Sequence, residues 1–213
     1  MLQRSTNENV CACLWTFWQN TLGNRVSFFK PTMAMYVYKT FGQGATSILD
    51  PTAGWGGRMI AAWVMGLKYT GIDTNVEMKR AYEGLEELLD RPEDLRMIWK
   101  DCLKVDFSRL HYDFVFTSPP YFMQEKYEHM EEWENAHAFT KDFLKPLIER
   151  CVKHIQPGGK VCFNMTERMY NRCVKAGMAE AVEATELPHR NTHLHATRKT
   201  NNNMIYVFTR TTA

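Results

Sequence analysis

The chain has 213 residues, 45% hydrophobic and 23% charged, which is enough for one sizeable core and reads as a globular domain rather than a disordered or fibrous chain. A formal net charge of +2 gives no case for a nucleic-acid partner by itself, so such a case needs a local basic face. No apolar run reaches membrane-spanning length, the N-terminus lacks a signal-peptide layout, and six cysteines form no C-x-x-C pair; reduced thiols and a cytoplasmic location without membrane attachment are expected.

In chain order, Val10, Leu14, Phe17, Trp18 and Leu22 recur near helical spacing after Ser5, Asn7 and Asn9. They predict a short amphipathic helix within an N-terminal extension, residues 1–26, whose aromatics cover a core edge or meet a partner. Next, Ser27-Phe28-Phe29-Lys30-Pro31 enters a helix ending at Phe41, with Pro31 suited to its first position.

Residues 47–50 predict a strand that runs into Asp50-Pro51-Thr52-Ala53-Gly54-Trp55-Gly56-Gly57-Arg58, and residues 59–65 an apolar helix. Glycines belong where a ligand approaches bare backbone and where the turn needs φ values that a side chain resists. The spacing Gly-x-Gly-Gly is not the dinucleotide fingerprint G-x-G-x-x-G, and Asp50 at the strand end would repel a pyrophosphate. A sulfonium cofactor with an ammonium group gains from such a carboxylate.

Residues 68–73 form the next predicted strand, ending in Asp73, 19 positions after Gly54. That offset is close to the ~20 residues at which a strand-end acid meets ribose hydroxyls, and a carboxylate offers two acceptors to two vicinal donors. The other reading of Asp73 is a helix N-cap. Residues 75–89 predict a charged amphipathic helix, residues 95–99 a third strand, followed by Lys100-Asp101-Cys102, and residues 112–116 a fourth strand.

The fourth strand stops in Thr117-Ser118-Pro119-Pro120-Tyr121. Neither proline can donate a ladder hydrogen bond and each fixes its own φ, so the chain leaves the sheet in a stiff, extended shape. Outward carbonyls, the Ser118 hydroxyl and the flat Tyr121 ring are the parts needed to grip a planar group bearing an amino nitrogen.

Ser118-Pro119-Pro120-Tyr121, with Asp-Pro-x-Ala-Gly-x-Gly-Gly upstream, resembles the signature of the S-adenosylmethionine-dependent methyltransferases that modify exocyclic amino groups of bases in DNA, of the cytosine-N4/adenine-N6 type. Phe114 to Phe122 most resembles small phage and viral members. The resemblance spans most of residues 27–165 and implies the α/β class I methyltransferase (Rossmann-like) fold: a mostly parallel seven-stranded sheet with helices on both faces, forming one domain over residues 1–213. It implies S-adenosylmethionine as cofactor and S-adenosylhomocysteine as product. It places Phe29, Lys30, Asp50, Pro51, Ala53, Gly54, Gly56, Gly57, Asp73, Asp101, Cys102 and Ser118 around the cofactor, with Asp101 accepting from the adenine amino group and the Cys102 backbone facing the ring. The alternatives are a capped helix start for Phe29 and Lys30, and a solvated turn for Asp101.

Residues 122–139 are acidic and aromatic, awkward beside phosphate, and read as a solvated helix or flap facing away, or as a partner surface. A helix over 142–154, Pro157-Gly158-Gly159, a strand over 160–165, a helix over 170–181 and strands near 182–187 and 204–209 complete the pattern. The loop 188–203 mixes bases, amides and hydroxyls with few acids. Arg190, Arg198 and Lys199 suit phosphate and base contacts there, the competing reading being an ordinary solvated loop. His189, His193 and His195 lack a completing ligand, and no metal site is assigned.

An exocyclic amino nitrogen shares its lone pair with the ring, so attack on a methyl group needs acceptors for its two hydrogens. The Ser118 hydroxyl and the Pro119 carbonyl are the expected acceptors, with Tyr121, helped by Phe122, stacking on the extruded base. Serine, a weaker acceptor than aspartate, cannot take up a proton at neutral pH, so methyl transfer precedes proton loss. Serine at this position resembles the cytosine-methylating group more than the adenine group. One departure stands out: members of this order usually carry a large recognition region after the catalytic half, and here only the loop 188–203 is expected to take that place. Specificity is then short, loose, supplied by a protein partner or homodimer, or directed at RNA. An RNA or protein amide methyltransferase and a non-catalytic partner subunit of the same fold are the alternatives.

Overall fold

The computed structural model describes residues 29–89, 92–122, 133–187 and 203–210. In chain order these form α1 (Pro31–Phe41), β1 (Ser47–Asp50), α2 (Gly57–Val64), β2 (Lys68–Asp73), α3 (Lys79–Leu88), β3 (Leu95–Trp99), β4 (Phe114–Thr117), α4 (Ala136–Phe139), α5 (Lys145–His154), β5 (Lys160–Thr166), α6 (Glu167–Lys175), β6 (Glu183–Glu186) and β7 (Asn203–Thr209). The predicted helix at 10–22, the extension 1–26, residues 123–132 of the acidic run, and the basic loop with Arg190, Arg198 and Lys199 lie outside the described residues.

The strands make one seven-stranded sheet in the order β3-β2-β1-β4-β5-β7-β6. Neighbours from β3 to β5 are parallel, and β7 runs antiparallel between β5 and β6. The direction of winding reverses between β1 and β4, and in an open α/β sheet that reversal opens a crevice beyond the carboxyl ends of those two strands.

Side chains alternate across each strand and so build two core layers. Ile48, Tyr69, Phe114, Phe116, Cys162, Ile205 and Val207 pack with Ala34, Val37, Tyr38 and Phe41 of α1 and Met59, Ala61 and Ala62 of α2. Leu49, Ile72, Val115, Val161, Phe163, Tyr206 and Phe208 pack on the other face with Leu147, Ile148 and Cys151 of α5 and Met169 and Cys173 of α6. Strands that are apolar on both faces are what a sheet covered on both sides demands.

Local chemistry accounts for the element ends and for the departures from expectation. β2 and β3 fall at the expected residues, and α1 opens on Pro31. β4 starts two residues late, because Asp113 turns its carboxylate to Thr46 N, Thr46 Oγ1 and Ser47 N and so pins the strand entry to β1. The helix expected at 142–154 begins earlier: Asn135 caps α4, a wide π turn covers Thr140–Leu144, and α5 follows. Pro146 has no N–H for the carbonyl four residues back, and the wide turn lies directly before it. The helix expected at 170–181 runs instead over Glu167–Lys175, capped by Thr166 Oγ1 at its start. Gly177, at φ 83°, ends it with Met178 N donating to Cys173 O at 3.0 Å. No helix among the described residues is long and apolar enough to cross a membrane.

Candidate active site

The glycine-rich turn leaves β1 at the sheet's carboxyl rim. Gly54 (φ 59°) and Gly56 (φ 80°) occupy the left-handed region, as the compact turn requires, and Gly56 caps α2. Ala53 N donates to Ile72 O at 2.9 Å and Tyr82 Oη to Gly54 O at 3.0 Å, fastening the turn to β2 and α3. Pro51, Ala53 and Gly57 are buried in its base, while Gly54 is half-buried.

Asp50 corrects one sequence expectation. Its carboxylate faces inward, fully buried, and accepts from Arg58 Nε at 2.6 Å and Nη2 at 3.2 Å, from Tyr69 Oη at 2.6 Å and from Thr117 Oγ1 at 2.7 Å. Burial alone would lower the Arg58 pKa, but the Asp50 charge and hydrogen bond outweigh it and raise the value. Asp50 is thereby neutralised within the protein and is not the carboxylate that would attract a cationic ligand. Its role is to hold the turn in shape through Arg58, whose Nη2 also donates to Thr52 O.

Asp73 ends β2 as expected, half-buried at the rim. Its Oδ2 accepts from Gly54 N at 2.7 Å and its Oδ1 from Asn75 N at 2.9 Å, so it organises the glycine turn. Each oxygen keeps acceptor capacity beyond these bonds. Burial pushes this carboxyl above its ordinary value, and the two N–H groups pull the other way. At the end of β3, Asp101 caps its own 3-10 turn through Leu103 N at 2.9 Å and pairs with Lys104 at 3.4 Å, the geometry of the turn reading. Cys102 is buried, and burial, followed by the Asp101 charge, pushes its thiol up to about 12.

The Ser-Pro-Pro turn lies against the glycine turn. Thr52 Oγ1 contacts Thr117 Oγ1 at 2.6 Å and donates to Ser118 O at 3.1 Å. Proton counting orders the chain: Thr117 spends its single hydrogen on the Asp50 carboxylate, so Thr52 shares its own between Thr117 Oγ1 and the Ser118 carbonyl. Ser118 is half-buried and Pro119 buried, and Ser118 Oγ accepts from Asn164 Nδ2 at 3.2 Å. Phe29 closes the same corner, its ring edge-on to Phe116 at 5.3 Å and under the Arg58 guanidinium at 5.5 Å. Lys30 follows it, exposed, at the start of α1.

Tyr121 and Phe122 are half-buried and pack against the core layer on the α5 side. The Phe122 ring lies 5.8 Å from Phe139, which is 5.0 Å from Trp133, so much of Phe122 belongs to an aromatic cluster rather than standing free above the rim. The structure therefore brings Phe29, the glycine turn, Asp73, Ser118 and Pro119 together. Sequence reasoning missed Thr52, Arg58, Thr117 and Asn164. Asn164 was visible as the one amide in the apolar run Val161-Cys162-Phe163-Asn164-Met165.

A protein-family model described as DNA methylase, N6_N4_Mtase, matches residues 112–209, just under half of the chain. No curated protein matches the sequence. Among solved structures, the chain is similar to an S-adenosylmethionine-dependent O-methyltransferase from Thermotoga maritima (TM-score 0.58, 13% identity, 89% of this chain and 69% of that one). It is also similar to a TehB-like S-adenosylmethionine-dependent methyltransferase from Corynebacterium glutamicum (0.55, 12%, 98% and 100%) and to an S-adenosylmethionine-dependent methyltransferase from Clostridium acetobutylicum (0.54, 11%, 94% and 99%). The chain spans 57% and 54% of the length of two further methyltransferases that it matches. At these identities the likeness establishes the fold, which is that of class I S-adenosylmethionine-dependent methyltransferases. The sequence match runs from the strand feeding the Ser-Pro-Pro-Tyr turn to the last strand, so over residues 112–209 the chain is similar to the N6/N4-type DNA methylase family.

Proposed function

We propose that the chain transfers a methyl group from S-adenosylmethionine to the exocyclic amino nitrogen of a base in DNA, cytosine before adenine. The observation that carries this reading is the Thr52 bridge, which holds the glycine turn and the Ser-Pro-Pro turn edge to edge at one rim. The family match over residues 112–209 supports the choice of DNA.

The residues present fit a nucleoside cofactor. Asp73 retains acceptor capacity for ribose hydroxyls at a half-buried position, the bare backbone of Gly54 lies beside it, and Phe29 walls the corner next to Arg58. S-adenosylmethionine, when bound, supplies an electrophilic methyl group. The Ser118 hydroxyl and the Pro119 carbonyl orient the amino group by accepting its hydrogens, and that interaction strengthens as the nitrogen turns tetrahedral. Tyr121 offers the face on which the extruded base stacks. No group of the Ser-Pro-Pro-Tyr turn is basic enough to take up a further proton at neutral pH, so the proton leaves the product nitrogen to water after transfer. Arg190, Arg198 and Lys199 serve as the phosphate contacts, with a protein partner or second copy completing target recognition.

The deciding experiment is mass spectrometry of nucleosides from DNA exposed to the protein and S-adenosylmethionine. N4-methylcytosine or N6-methyladenine is the expected product; label appearing only in RNA or in protein would replace DNA as the substrate.

A further inference from the structure

Asn164 breaks the rule of its own strand. Its neighbours in β5 are buried apolar residues, and Asn164 is itself only 3% exposed. Its Nδ2 donates to Ser118 Oγ at 3.2 Å, while its Oδ1 is buried with no partner among the described residues. The reverse orientation of the amide would bury two N–H bonds without acceptors, and orphaned N–H groups are tolerated less well than under-satisfied oxygens. A leucine of similar size would cost nothing in polarity here, so the half-satisfied amide is expensive for the fold.

Resting on the function proposed above, we infer that Asn164 is a positioning residue that sets the polarity of Ser118. A hydroxyl has one hydrogen and two lone pairs. The amide N–H occupies one lone pair and leaves the Ser118 proton no acceptor on Asn164, so that proton points toward the substrate side while the second lone pair accepts an amino hydrogen. Ser118 then presents one acceptor beside one donor, complementary to an amino group beside an unprotonated ring nitrogen, as on cytosine or adenine. Asn164 itself is too deeply buried to touch the base and acts through Ser118. Among the described residues, Ile205 lies across from it on β7 and Thr117 precedes Ser118 at the end of β4, while the nearby charges of Asp50 and Arg58 neutralise each other.

The test uses the full chain with Asn164→Leu and Asn164→Asp, read by thermal unfolding, S-adenosylhomocysteine binding, and transfer of labelled methyl from S-adenosylmethionine to mixed-sequence DNA. Asn164→Leu is expected to unfold at or above the wild-type temperature and to bind S-adenosylhomocysteine as the wild type does, with kcat lowered about tenfold, the worth of one hydrogen bond. In Asn164→Asp the ionised carboxylate takes the Ser118 proton and reverses the polarity, whereas the protonated acid donates as the amide did. Burial raises the pKa of such a carboxyl, so activity recovers as pH falls, a limb absent from the wild type. Unchanged kcat in Asn164→Leu, or a destabilised Asn164→Leu, overturns the inference in favour of a packing role. If the wild type methylates nothing, the proposed function fails, and the unfolding comparison still separates a costly amide from a structural one.

Discussion

At the glycine-rich end of the rim every buried polar group described has a partner: Asp50 receives Arg58, Tyr69 and Thr117, and Arg58 also serves Thr52. At the Ser118 end the network is half finished, with Asn164 Oδ1 left over and Ser118 itself half-buried. A saturated network fixes shape and has nothing left to offer a ligand, whereas an unfinished one holds unspent hydrogen-bonding capacity where a substrate would lie. The two ends should therefore fail differently when broken.

Asp50→Ala gives the largest effect expected. It leaves Arg58 charged, buried and unpaired, at a cost of about 3–5 kcal/mol. For a domain of this size that lowers the unfolding midpoint by roughly 6–20 °C, measurable by circular dichroism. A loss of cofactor affinity with unchanged stability would instead make Asp50 a ligand group and dissolve the contrast between the two ends.

Asp73 belongs partly to both ends, and its ionisation distinguishes them. Asp73→Asn should weaken S-adenosylmethionine binding about 10–150-fold, the range of one charge-assisted hydrogen bond, with a smaller change in kcat. The wild type should also lose affinity as pH falls. Burial raises the pKa of the free carboxyl, hydroxyl donors on a bound ribose favour the ionised form and lower it, and affinity therefore rises with pH through that region. Isothermal titration of both proteins across the acid range checks the sign, since the asparagine variant should lack this dependence.

At the substrate end, Tyr121→Ala should leave cofactor affinity intact and reduce kcat by roughly 5–150-fold, the worth of ~1–3 kcal/mol of base stacking. Parallel binding and turnover measurements read the split directly. A loss confined to cofactor binding would move Tyr121 to the other wall of the crevice.

The sheet was legible because its signals are local. β2 and β3 are short apolar runs bounded by glycine, proline and acids, and the glycine and Ser-Pro-Pro turns announce themselves in sequence. The Asp50–Arg58 pair was not legible as a pair: the two lie eight positions apart around a turn, and only the folded turn shows the carboxylate facing inward. The extent of α6 was misread because apolar residues continue past Lys175 at helical spacing, while Gly177 adopts a positive φ that ends the helix. Asn164 was legible as an exception within its strand, but the meaning of the exception depended on its register beside Ser118, which pairing of β4 with β5 alone supplies.

The smallest predicted effect lies at the seam between the two ends. Thr52→Val keeps the shape and removes the hydroxyl that touches Thr117 Oγ1 and Ser118 O. Thr117 still has its bond to Asp50, so the saturated end should stay intact and stability should fall by only about 1 kcal/mol. The Ser118 carbonyl, however, loses its tether to the glycine turn, and a backbone that no longer holds the acceptor in line with the methyl donor should lower kcat several-fold. Because the bridge joins the turns without belonging to either pocket, affinities for cofactor and for DNA should both hold. Single-turnover kinetics with saturating DNA separates this outcome from a general loosening, which would instead raise KM and lower stability together.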